Sequence, residues 1–157
     1  MKRWMLPALS VMIMLLLSAC GGANDGPADT DPVDVDLEEL ANSLMESGLF
    51  EETLNQVDSG VAEMLYSVTN ASASYIYAGS GAVADELALF EFTSNEEAQA
   101  AVPLAEDRVA AQKDSFATYI PEEVPKLDDA VIETYGRYMV FCVSGNADAG
   151  EIISGYF

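Results

Sequence analysis

Ser94 and Glu97 stand three residues apart at the head of a segment that runs to Tyr119 without a turn signal. In such a capping box the Ser side chain accepts a backbone N–H three residues on while the Glu reaches back, which marks a helix start. Ala98, Ala101, Val102, Ala105, Val109 and Phe116 then recur at helical spacing and predict one buried stripe. This long helix separates two pairs of strand-like runs, so it must pack as a layer on whatever sheet they build. Pro103 falls inside it, lacks an N–H, and is expected to bend the helix or divide it in two.

The first strand pair is Ala73 to Ala78 and Glu86 to Thr93, joined by a Gly79-Ser80-Gly81 loop longer than a tight hairpin. In its second run Ala88, Phe90 and Phe92 alternate with Leu87, Leu89 and Glu91. The second pair is Ala130 to Tyr135 and Arg137 to Ser144. A two-residue turn at Gly136-Arg137 suits type II′ and sets Tyr135 beside Tyr138, Glu133 beside Val140 and Val131 beside Cys142. Upstream, Asp36 caps a helix with Leu37, Leu40, Ala41, Leu44 and Met45 on one face and Gly48 as its stop. Residues 49–57 read as an extended crossing. Asp58 or Ser59 opens a short helix that points Val61, Met64 and Leu65 inward, and Asn146 caps a last helix with Ala149, Ile152, Ile153 and Tyr156 on one side. The pattern predicts one α+β domain over 36–157, an antiparallel sheet of about four strands from two strand pairs, packed with helices.

What precedes the domain reads as an address. Lys2 and Arg3 form a basic start, the run to Leu17 is apolar but too short to span a membrane, and Leu17-Ser18-Ala19-Cys20 has the form of a bacterial lipobox. The expectation is a signal peptide over 1–19, a diacylglyceryl group and fatty-acyl chain (palmitate) on Cys20, and an acidic tether over 20–35. Two or more acyl chains give stable anchoring where one is marginal. This places the protein on the extracytoplasmic face of the cell membrane.

Charge and residue choice exclude whole classes of chemistry. The chain carries 27 acidic and six basic residues; removing the leader leaves Arg108, Lys113, Lys126 and Arg137 as the basic side chains. So acidic a domain repels nucleic acid phosphates and is not expected to bind them. Histidine is absent, which removes Ser-His and Cys-His nucleophile pairs and His-containing zinc sites. Asp29, Asp31 and Asp34 begin like a calcium loop but lack its Gly and closing Glu, so no metal is expected. Adjacent acids such as Asp85-Glu86 and Glu122-Glu123 follow from composition and do not by themselves describe a hydrolase cleft. With Cys20 lipidated, Cys142 stands alone inside an apolar strand, so no disulfide is available.

Several separated pieces carry a likeness to known proteins: Ser80-Gly81-Ala82, Glu86-Leu87-Ala88-Leu89-Phe90, and Arg108, Gln112, Phe116, Tyr119, Pro121 and Lys126. With these the chain resembles, over roughly Leu37 to Phe157, a family of small Gram-positive bacterial lipoproteins grouped as a domain of unknown function. The resemblance implies a lipid-anchored extracytoplasmic domain and supplies no activity, cofactor or catalytic residue. The functional expectation is a non-catalytic binding module of the cell envelope, not an enzyme. The alternatives are an accessory or assembly subunit of an envelope complex and, further off, a carboxylate-dependent cell-wall hydrolase. Its partners would be the membrane, through Cys20, and an envelope protein or small ligand. Arg108, Gln112, Ser115 and Tyr119 form a polar stripe beside the buried one and are the candidate ligand residues. Arg108 suits a carboxylate or phosphate, or else pairs with an internal acid and braces the Pro121-to-Pro125 segment with Tyr119 packed there. Replacing Cys20 with Ala is expected to abolish incorporation of a fatty-acid analogue and leave the leader uncut. Label retained in that variant would overturn the lipobox assignment.

Overall fold

The computed structural model describes residues 34–157. The leader, the lipobox at Cys20 and the tether before Asp34 lie outside the described residues. In chain order the elements are α1 (Leu37–Glu46), β1 (Asn55–Gln56), α2 (Ser59–Tyr66), β2 (Ala73–Ala78), β3 (Glu86–Glu91) and α3 (Asn95–Tyr119). A short 3-10 turn (Pro121–Glu123) then leads to α4 (Val124–Asp128), β4 (Val131–Tyr135), β5 (Tyr138–Val143) and α5 (Ala149–Ser154). The strands form one antiparallel sheet in the order β1-β2-β3-β5-β4. The fold is α+β, with five strands where about four were expected. The extra strand, β1, has two exposed polar residues and so no apolar alternation to announce it. Asn55 and Gln56 pair with Ala78 and Tyr77 of β2.

Both faces of the sheet are covered. Ala88, Phe90, Met139, Phe141 and Val143 lie under α2, α3 and α4, with Tyr66, Ala98, Ala101, Ala105 and Leu127 above them. Leu87, Leu89, Val140 and Cys142 face the other way, against Leu40, Ala41 and Leu44 of α1 and Ala149 and Ile153 of α5. This is why β3 and β5 read as nearly continuous apolar runs: each alternate residue has a helix to meet. Burial pushes the Cys142 thiol up to about 12, so it is a core residue and not a nucleophile. The Gly136-Arg137 turn gives the expected pairs, Tyr135 with Tyr138, Glu133 with Val140 and Val131 with Cys142. Gly136 sits at φ +59° while Arg137 does not take a positive φ, as type II′ requires.

The helix starts are built as read, with local changes. Asp36 accepts N–H bonds from Glu38 and Glu39, both at 3.0 Å. Ser94 accepts from Glu97 N, and the Glu97 carboxylate turns back to Thr93 instead of Ser94, taking its N–H at 3.0 Å and its hydroxyl at 2.6 Å. Two helical faces differ from expectation. In α2, Val61 and Met64 are 41% and 73% exposed, while Ala62 and Tyr66 are buried. The phase is set by Tyr66, whose ring stands edge-on to Phe90 and Phe141, each centroid 5.3 Å away. At the other end Asn146 makes a side-chain turn onto Asp148 N (2.9 Å) and does not cap; α5 begins at Ala149 and leaves Tyr156 41% exposed.

Pro103 neither divides nor ends α3, which is assigned as one helix of 25 residues. Pro103 and Gln99, whose carbonyl loses its partner, are both exposed, so water can satisfy that oxygen. Among the described residues no helix is long and apolar enough to cross a membrane. Because Pro103 sits on the solvent side and supports no packing, Pro103→Ala is expected to raise stability by roughly 1–2 kcal/mol. A urea midpoint that rises with unchanged slope would show this; a lower midpoint would mean the missing N–H serves the fold.

Candidate functional site

Glu86 opens β3, and the alternation that sends Ala88 and Phe90 beneath α3 turns its carboxylate to the same face. Three side chains meet it there. Arg108 of α3 donates Nε–H to Oε1 at 3.1 Å and Nη2–H to Oε2 at 2.7 Å, a two-point pair. Gln112, one helical turn on, donates Nε2–H to Oε2 at 2.7 Å, and the Tyr66 hydroxyl donates to Oε1 at 2.5 Å. Four donors thus fill the two oxygens of a side chain that is 2% exposed. Burial, then the Glu86 charge, pushes the Tyr66 hydroxyl well above its ordinary range, so it stays a donor. Burial pulls the Arg108 guanidinium down, but its hydrogen bonds and attraction to Glu86 outweigh this and hold it above its usual value.

The preceding residue, Asp85, is equally buried and has a different cation. Lys126 of α4 places Nζ 3.1 Å from Asp85 Oδ1, 3.1 Å from Glu123 Oε2 and 3.2 Å from Glu51 Oε2. Asp85 Oδ2 also accepts Glu51 N–H at 2.9 Å, and Glu123 accepts Ala84 N–H at 2.8 Å. Burial disfavours the Lys126 ammonium, yet hydrogen bonds to Asp85, Glu123 and Glu51 together raise it above its ordinary value. The brace on the Pro121-to-Pro125 segment is therefore Lys126, through Glu123, and not Arg108. Tyr119 does not pack there either: it is 64% exposed, its hydroxyl 3.3 Å from that of Ser115.

Between the 79–86 loop and the C-terminal half of α3 lies a cavity of about 270 Å³, and Arg108, Gln112, Ser115 and Tyr119 all line it. The loop supplies Gly79 and Gly81 to the opposite wall, held by Glu52, which accepts the Ser80 N–H and, at 3.1 Å, the Ser80 hydroxyl. Gly79 has no room for a side chain: a Cβ would lie 2.5 Å from Glu52 Oε1 and 2.9 Å from Val83 Cγ2. Gln112 belongs to the buried stripe and not beside it, at 7% exposure, and its Oε1 is a buried acceptor with no donor among the described residues. No group of three or more metal-ligating side chains is placed to hold an ion among the described residues.

The four candidate residues are legible from spacing; Asp85 and Glu86 stand out in the sequence only as adjacent acids, and Tyr66 not at all. A signal existed. Two acids head a strand that is otherwise apolar on both faces, and few basic side chains are available to neutralise them. Because truncating one partner strands a buried charge, Arg108→Ala is expected to cost about 3–5 kcal/mol. Adding Glu86→Gln in the same chain should recover part of the loss, since it removes the stranded charge while its amide oxygen still accepts from Tyr66 or Gln112. Denaturation of the single and double variants decides this; a double variant no better than the single would refute it.

No curated protein and no solved structure matches the chain. The family model described as domain of unknown function DUF4358 matches residues 49–144, from just after α1 to just before α5. That region holds the five strands, α2, α3, α4 and both ion-paired clusters at the head of β3, and it covers more than half of the sequence, so the chain belongs to the DUF4358 family.

Proposed function

We propose that this protein is a lipid-anchored, extracytoplasmic binding module, without catalysis of its own, that holds a small ligand in the cavity between the 79–86 loop and α3. The anchor rests on the lipobox at Cys20. The observation that carries the binding role is the convergence of Arg108, Gln112, Ser115 and Tyr119 on one cavity, opposite the loop that carries Gly79 and Gly81. Concave sites with a few placed polar groups among apolar ones are where small ligands bind. Val83, Ala111 and Phe116 supply the apolar part here.

The disposition of the acids argues for holding a ligand and not for transforming one. A general acid or base needs a proton site within reach of the reacting atom. The oxygens of Glu86 face four protein donors, and those of Asp85 face Lys126 and the Glu51 N–H. Both carboxylates are thus tied into ion pairs that hold the fold.

Purifying the full chain from membranes in mild detergent, followed by native mass spectrometry, tests this reading. The expected result is a retained small molecule that is lost in Tyr119→Ala, with stability changed by no more than about 0.5 kcal/mol because Tyr119 is largely exposed. A one-to-one protein partner retained equally by both forms would assign the accessory role instead.

A further inference from the structure

Three properties of the cavity constrain its ligand. The first is charge. Asp85 and Glu86 both line it, and Arg108 is the cation on its wall, already bonded twice to Glu86. Each of these acids already has its cation, Arg108 or Lys126, so an anion would enter without a free counter-charge. An ammonium would face the guanidinium and find each carboxylate already paired with a cation. A net-neutral ligand meets neither cost.

The second property is the set of unused hydrogen-bonding groups. Gln112 Oε1 is a buried acceptor without a donor, which costs a protein unless something supplies one. Arg108 Nη1 makes no hydrogen bond among the described residues, and it is not among the buried unpartnered atoms, so it keeps free donors at the cavity. Arg108 Nη2 and Gln112 Nε2 both lie 2.7 Å from the same oxygen, Glu86 Oε2. The two side chains are therefore held together on the cavity wall, each with a hydrogen-bonding group to spare. The third property is space. Gln112 Oε1 is covered, so a group reaching it has little room, and a planar group fits more readily than a tetrahedral one. About 270 Å³ suits a ligand of monosaccharide or single-residue size, below the usual range for drug-sized ligands.

We propose that the cavity recognises a small uncharged ligand through an amide group, whose N–H donates to Gln112 Oε1 and whose carbonyl accepts from Arg108. The remainder of the ligand lies against Phe116 and Val83 and meets the Ser115 and Tyr119 hydroxyls at the mouth. An acetamido sugar and a blocked amino acid both present this chemistry. The proposal rests on the binding role assigned above and goes further by naming the group recognised.

Titration of the ¹⁵N-labelled full chain in detergent with N-acetylglucosamine, N-acetylalanine amide, glucose and phosphate tests it, with the Gly81 and Ser115 amide signals as reporters. At least one of the two amide compounds is expected to shift these signals saturably, and the one that does identifies the source. Glucose should bind weaker by about tenfold or more, the loss of one hydrogen-bonded group. Gln112→Leu removes the unpaired acceptor together with one of the four donors to Glu86, so its melting temperature should fall only modestly while the amide-dependent shift is lost. Equal binding by Gln112→Leu and wild type overturns the proposal. Saturable shifts with glucose or phosphate alone overturn the amide assignment and leave the binding module standing. No shift with any of the four overturns the amide assignment too, and the retained-ligand measurement then decides the binding role separately.

Discussion

The two-point pair between Glu86 and Arg108 is the contact on which the arrangement of layers depends. Glu86 heads β3, which pairs with β2 on one side and β5 on the other, so its position fixes the middle of the sheet. Its carboxylate is reached from α2 by Tyr66 and from α3 by Arg108 and Gln112. Hydrophobic burial alone would tolerate α3 sliding along the sheet, since Ala98, Ala101 and Ala105 present a smooth small-residue face. A buried carboxylate does not tolerate it. An ion pair in such a place contributes little net stability over an apolar pair, but it strongly penalises arrangements that leave one charge unmatched. Its effect is therefore on which packing is chosen.

Alternation along the strand gives the neighbouring acid a different task. Asp85 precedes β3 by one residue and meets Lys126, which draws in Glu123 from the turn after α3 and Glu51 from the segment before β1. Pieces far apart in sequence are thus tied at one end of the sheet by a single ammonium. Asp85 of this cluster and Glu86 of the other both line the cavity, so its wall is set in part by the contacts that set the fold. Such a site is preorganised, and little ordering opposes binding there.

Short-range features of this fold were legible in the sequence, and long-range polar ones were not. The Ser94 start of α3, the Asp36 cap and the Gly136-Arg137 register depend on residues within a few positions of each other, and all are found as read. The strand β1 was missed because pairing with β2, not its own residues, makes it a strand. Gln112 was placed on the polar side of its helix by residue type, yet it lies in the buried stripe because Glu86 is there to accept its N–H. Val61 and Met64 look like core residues and are not, since Tyr66 needs the inward position to reach both Phe90 and Glu86. In each case a partner more than about ten residues away decides, and helical or strand periodicity carries no record of it.

The far end of β3 repeats the device and gives the domain a direction. Glu91 closes the strand and accepts from Arg137 Nε at 2.8 Å, while the same guanidinium donates to Asp34 at 2.9 Å. Slipping β3 by one residue against β5 would turn its apolar set over and separate both acids from their arginines, so the register is fixed from two ends. Asp34 and Val35, whose N–H donates to the Tyr138 hydroxyl at 3.1 Å, bring the chain into the domain at this Arg137 end. The cavity lies at the Glu86 end, about 17 Å away along a six-residue strand. For a protein held at Cys20, the chain then arrives at one pole of the sheet and the cavity opens near the other, away from the attachment. The entry of the chain at Asp34 and the cavity thus occupy opposite ends of one strand.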